Sequence, residues 1–309
     1  MATPLVGSSG GAVSISLGRE FFKMTGSGND FVFFDARLEG PGWLAAPEAI
    51  RELCARGTGV GADGVVFLEP SDTADFGITY FNSDGTRAAL CGNASLCTTS
   101  LAVDLGLGAA AGLAFDTDAG VIAGRLRGQL PEIDLQPVSR VDPAVDIPLD
   151  AGESRIGFAE AGVPHVVVLC DDVDRIELRT RGRELRWNDQ FPQGANANFV
   201  SRGSTGNWRM RTYERGVEGE TLACGTGAVA TALLLGAWAV AGADVELESR
   251  SGRIVGVRST RVRSAWRASL RGEGRLVYRG ALSAEWSDFA AAARRRGSVS
   301  PESKRSWDA

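Results

Sequence analysis

Two stretches decide the fold: residues 91–105, CGNASLCTTSLAVDL, and residues 224–238, CGTGAVATALLLGAW. Each opens on Cys-Gly-polar and continues in small and apolar residues, with Asp104 the only charge in either. A helix that is apolar on every side is a buried core helix. The second stretch sits in a charge-free run from Leu222 to Ala243, long enough to be weighed as a membrane span of ~20 residues. It carries Gly225, Gly227, Gly236 and Gly242 and leads straight into the alternating VELESRSG of 245–252. That composition is a core helix followed by a strand.

Outward from these helices the chain repeats itself. A strand, a polar glycine turn, Cys-Gly, an apolar helix, a glycine, a strand and a second glycine turn occur twice. Cys91 and Gly120 are 29 positions apart, Cys224 and Gly252 are 28 apart. Upstream, GSGNDFVFFD (26–35) and AGVPHVVVLC (161–170) stand at an offset of about 135. GVVFLE, FGITYFN, ANFVSR, WRMRTYE, RIVGV and RLVYRG read as further strands of four to seven residues. The expected fold is α/β (α+β): two pseudo-symmetric domains, each a mostly antiparallel or mixed sheet wrapped on a buried central helix, with a ligand in the cleft between them. Residues 1–18 and 290–309 read as disordered tails, 19–135 as the first domain and 136–274 as the second.

Composition narrows the chemistry. The chain has 309 residues and a net charge of −5, which argues against nucleic acid or an anionic membrane as partner. Its single histidine, His165, excludes a multi-His zinc site, and no metal site is expected. Only Lys23 and Lys304 are lysines, and Lys304 lies in the polar tail, so a pyridoxal Schiff base would have to fall on Lys23. The five cysteines contain no CxxC and are odd in number, which does not make a disulfide framework. The N-terminus lacks a basic, then apolar, leader pattern. A reducing cytoplasm is the expected location.

Cys91 and Cys224 each fall at a helix start. Unpaired N–H groups and the positive helix end lower the pKa of a thiol there and hold a carboxylate beside it. Two such ends facing one cleft suit a cofactor-free inversion. One thiolate takes a proton from a carbon α to a carboxylate, and the other thiol returns one on the opposite face. His165, at the start of an apolar strand, and Glu214, at a strand end ten residues before Cys224, are candidates to tune the thiols. Cys54, Cys97 and Cys170 sit in apolar patterns and read as structural.

MTGSGNDF (24–31), GTGVGADG (57–64), FNSDG with LCGN (81–85 and 90–93), GVPH (162–165), ANANF (195–199) and YERGVEGETLACGTGA (213–228) follow one another in an order and spacing that resemble the diaminopimelate epimerase family. The family comprises cofactor-independent enzymes of lysine and peptidoglycan precursor synthesis. The resemblance covers nearly all of the ordered region. It implies the two-domain fold, a returning strand within about 275–289, a homodimer and an amino-acid substrate. It implies Cys91 and Cys224 as the acid–base pair, assisted by His165 and Glu214. Asn29, Asn82, Asn196 and Arg215 would contact substrate, and the backbones of Gly92–Asn93 and Gly225–Thr226 would hold its α-carboxylate. Three features depart from the family pattern. Val163 replaces an asparagine before Pro-His, Ala94 and Leu96 replace glycine and arginine, and the loop after Glu214 is one residue longer. Val163 cannot hydrogen-bond through its side chain. A racemase of another amino acid on the same fold, a carboxylate-base isomerase and a non-catalytic binding module are the alternatives.

Overall fold

The computed structural model describes residues 17–284 and 286. The 290–309 segment and most of 1–18 lie outside the described residues, but Leu17 and Gly18 already open the first strand. The fold is mixed α and β, with a large sheet system and few helices. In chain order come β1 (Leu17–Gly26), β2 (Asn29–Asp35), α1 (Pro47–Cys54), β3 (Gly64–Glu69), β4 (Phe76–Asn82), β5 (Arg87–Ala88), α2 (Gly92–Asp104), β6 (Leu113–Thr117), β7 (Gly120–Arg127) and β8 (Leu130–Asp134). Then follow β9 (Val141–Asp142), β10 (Glu153–Ala161), β11 (Val163–Cys170), α3 (Leu178–Arg186), β12 (Asn196–Arg202), β13 (Trp208–Glu214), β14 (Gly219–Thr221), α4 (Gly225–Ala237), β15 (Asp244–Glu248), β16 (Ile254–Val262), β17 (Ala265–Arg271) and β18 (Arg275–Ser283).

The pairing of the first series recurs in the second. β1–β2 and β10–β11 are antiparallel, β2–β3 and β11–β12 parallel, β3–β4 and β12–β13 antiparallel. β4 meets β6 in parallel, as β13 meets β15. Two pairings stitch the series together: β8 with β17 and β1 with β18, both antiparallel. β18 therefore pairs with the first strand of the chain.

The helices α2 and α4 each pack on several of these strands. α2 packs on β1, β7, β8 and β18, and α4 on β10, β11, β12, β16 and β17. Leu96, Cys97, Thr98 and Thr99 are buried on successive positions of α2, so every face of that helix is covered. The hydroxyls of Thr98 and Thr99 donate to the carbonyls of Ala94 and Ser95, which satisfies them inside the core. α4 buries ten of its 13 residues. Both helices belong to one continuous apolar core, and two smaller clusters lie under α1 and α3. α2 stops where Gly106 takes a φ of 69°, a left-handed exit that costs glycine little. No described helix is long and apolar enough to cross a membrane.

Candidate active site

The two helix starts are built alike. Cys91 caps α2 at φ −133° and ψ 117°, and Cys224 caps α4 at φ −134° and ψ 107°. In each, the cysteine carbonyl accepts the first helical bond, from Ser95 and Ala228, both at 2.9 Å. The helix tips meet. A Cβ added at Gly92 or at Gly225 would lie 3.0 Å from the same Leu270 methyl group. One added at Gly225 would also lie 3.5 Å from Asn93 Oδ1. Two sets of free N–H groups thus converge on one place, and a carboxylate there would be held by both.

The expected lowering of the thiol pKa is not found. Burial pushes Cys91 up and Cys224 up to about 12, and the Glu214 charge adds to the rise at both. The N–H groups of Asn93 and Ala94 pull Cys91 down, as Thr226 and Gly227 do for Cys224, but desolvation outweighs them. Both thiols are therefore held in the protonated form. The same burial raises Glu214, against a Thr221 hydroxyl that lowers it. The Glu214 charge acts on both sulfurs.

His165 is fully buried on β11. Its Nδ1 accepts from Asn198 Nδ2 at 3.1 Å, and that amide also donates to the Val166 carbonyl at 3.1 Å. A carbonyl only accepts, so the Asn198 orientation is fixed and the imidazole is the Nε2–H tautomer. Thr212 Oγ1 donates to Asn198 Oδ1 at 2.9 Å and completes the chain. Nε2 is buried without a partner, a donor left for something else. Burial, helped by the Arg215 charge, lowers the histidine pKa to about 3. The unfolded chain takes up this proton near pH 6.5, the folded chain only near 3. Stability is full above 6.5 and falls as pH drops toward 3, by about 5 kcal/mol for a shift of this size. His165→Gln is expected to flatten that acid limb in urea titrations at successive pH values. An unchanged limb would show that the imidazole does not carry it.

The remaining candidates are tied in as follows. Asn29 donates to Asp63 Oδ2 at 2.9 Å and accepts from Asn93 Nδ2 at 2.7 Å. Asn93 Oδ1 is left buried and unpartnered at the helix junction. Asn196 Oδ1 accepts the Arg215 N–H at 2.7 Å, and Arg215 Nη1 reaches the Gln193 carbonyl at 3.2 Å. Asn82 donates to Thr86 at 3.1 Å in an exposed turn and makes no described bond to the others. Lys23 is buried on Asp30 Oδ2 at 2.6 Å and on the Gly61 carbonyl, so it is committed to structure. Val163 opens β11 opposite Ala161, and Leu96 fills the space against Gly272. In the loop after Glu214, Glu218, at φ 54°, pairs with Arg186 at 3.0 Å. Cys54, Cys97 and Cys170 are buried and free, as expected. Asn198 and Tyr80 were not singled out from sequence. The alternation of ANANF, with its two asparagines on one face of a strand, carried the signal for the first.

A sequence model described as diaminopimelate epimerase matches residues 21–135 and 157–260. The chain is 49% identical over 273 residues to a diaminopimelate epimerase of Gemmatimonas aurantiaca, covering 85% of this chain and 98% of that one. It is 41% identical over 228 residues to one from Aquifex aeolicus, covering 70% and 80%. Among solved structures, a Bacillus anthracis phenazine biosynthesis protein of the PhzF family aligns with a TM-score of 0.63 at 16% identity, covering 85% of this chain and 98% of that one. A hydroxyproline epimerase from Agrobacterium vitis, solved with trans-4-hydroxy-L-proline, aligns at 0.61 and 18%, covering 86% and 92%. These two likenesses concern the fold alone.

Proposed function

The chain belongs to the diaminopimelate epimerase family, and from that premise we propose that it interconverts LL- and meso-diaminopimelate without a cofactor, by two-base transfer at the α-carbon. The observation that supports this most is the meeting of two cysteine-capped helix starts over Leu270. The substrate α-carboxylate lies on the N–H groups of Gly92–Asn93 and Gly225–Thr226. One sulfur, as thiolate, takes the α-proton, and its S–H bond forms as the C–H bond breaks. The electron pair is held as an enolate by the N–H groups of both helices. The other thiol gives up its proton on the opposite face and becomes the thiolate. Each turnover exchanges the two protonation states, so the thiols alternate between reaction directions.

Two raised thiols need help to reach the charged form. Glu214, itself raised and acting on both, takes or returns the proton, and the Nε2–H of His165 offers a hydrogen bond to a neighbouring anion. Asn29, Asn82, Asn196 and Arg215 grip the rest of the substrate. Arg215 is the candidate partner for the distal carboxylate, since Val163 offers only apolar surface. We read the repeated strand pairing as two domains, 19–135 with the returning strand and 136–274, closing on the substrate. The enzyme works as a cytoplasmic homodimer in this reading.

The valine raises one competing substrate, an amino acid with a less polar side chain. Purified protein is given LL-diaminopimelate and, separately, a panel of L-amino acids, and the isomers are resolved by chiral chromatography. Conversion of LL to meso with an inert panel is expected. An inert diaminopimelate beside a racemised amino acid would overturn the substrate assignment and leave the mechanism.

A further inference from the structure

The two halves of the site are not supported alike. In the second series, Asn198 lies opposite Thr212 across β12 and β13, and His165 lies opposite Asn196 across β11 and β12. These three side chains form the Thr212–Asn198–His165 chain beside Cys224. In the first series the same register positions are Val66 opposite Tyr80 and Phe31 opposite Gly64. Valine and phenylalanine replace the amide and the imidazole, and neither can hydrogen-bond. Only the position of Thr212 keeps a hydroxyl, on the longer side chain of Tyr80.

That hydroxyl shares a pocket with the Cys91 thiol. Tyr80 is buried and lines one small pocket with Cys91, Ala88 and Ala94, and its hydroxyl pulls the Cys91 thiol pKa down. Its ring stands edge-on to Phe31, with centroids 6.1 Å apart. Gly64 makes the room, because a Cβ there would lie 2.6 Å from Tyr80 Cε2 and 2.9 Å from the hydroxyl. The phenol is held well above its usual range by burial and by the Cys91 charge, so it stays protonated and is the donor. We propose that Tyr80 is the positioning residue of the first thiol, holding the Cys91 sulfur through a hydrogen bond that strengthens when the sulfur is charged. On the second side the Thr212–Asn198–His165 chain stands next to Cys224 instead. This inference rests on the reading of Cys91 as a proton-transfer thiol.

Glu214, Cys97 and Cys224 are the other titratable groups that interact with Cys91, and Tyr80→Phe leaves all three in place. The test follows the pH dependence of iodoacetamide labelling at Cys91 and Cys224 separately, by peptide mass spectrometry on the full chain. It needs no turnover, so it can fail while the epimerase assignment stands, and the reverse. Tyr80→Phe is expected to move the Cys91 midpoint up by about one pH unit, as loss of a donor to a thiolate does, and to leave Cys224 where it is. Turnover is expected to fall about tenfold with little change in KM. Site-specific 3-fluorotyrosine at position 80, a more acidic phenol of nearly the same shape, is expected to move the Cys91 midpoint down. An unmoved Cys91 midpoint in both variants would overturn the proposal. A parallel shift of both cysteines, which general loosening of the site would produce, would overturn it as well.

Discussion

Cys224→Ala and Cys91→Ala each abolish epimerisation to below about a thousandth of the parent rate, while both variants remain folded. The size of the loss follows from the chemistry. Each sulfur serves one face of a planar intermediate, and alanine has no proton to give and none to take. The cost to the fold is small, because the substitution removes one atom and keeps the Cβ, and such changes fall in the ordinary range of about 1 kcal/mol. The two thiols act as one unit, so the double variant is expected to lose no more than either single one. The measurement is the initial rate of LL-to-meso conversion, with thermal unfolding recorded on the same samples. A folded double variant that retains activity would exclude the thiols and favour a carboxylate base, with Glu214 the first to test.

Gly227→Ala is expected to lower turnover by at least about a hundredfold, as a displacement near 1 Å at a reacting group does. At an ordinary helical site this change stabilises a protein by about 0.4–1 kcal/mol. Here the new Cβ would sit 2.4 Å from Asn198 Oδ1 and 3.2 Å from Cys224 Sγ. Neither neighbour can yield freely. Asn198 is held by Thr212, the Val166 carbonyl and His165 at once, and Cys224 begins the helix. The methyl group therefore moves the thiol, the imidazole or both. Gly236→Ala, in the same helix, meets only Trp266 at 3.5 Å and is the control that should keep full activity. Equal activity in the two variants would mean that the position of this thiol is not critical.

Much of this was legible because the sequence states it in local terms. The two apolar helices read correctly, since a stripe that closes round the whole helix has no polar face to mislead. β3, β4 and β13 match their readings residue for residue. The elements that escaped are those whose burial depends on a distant partner. α3 carries the polar LRTRGRELR, with Gly182 at its centre. That glycine lets the helix lie on Tyr213, where a Cβ would come within 2.6 Å. β1 begins in a small-residue tail, and what makes it a strand is β18, more than 250 positions away. The helix starts at Cys91 and Cys224 were legible, but the pKa of the thiols was not. A helix start is visible in a sequence, whereas the depth of burial that outweighs it is a property of the assembled core. Asn198 and Tyr80 were missed for the same reason, because their roles depend on register across three strands.

The central claim is that two separate sulfurs handle the two faces of one carbon. LL-diaminopimelate incubated with the enzyme in D₂O, stopped at low conversion and analysed isomer by isomer by proton NMR, tests it most directly. Deuterium at the α-carbon of the meso product, with the recovered LL isomer still carrying its proton, is the predicted result. Deuterium entering the recovered LL isomer as fast as the product would mean a single base serving both faces, and would contradict it.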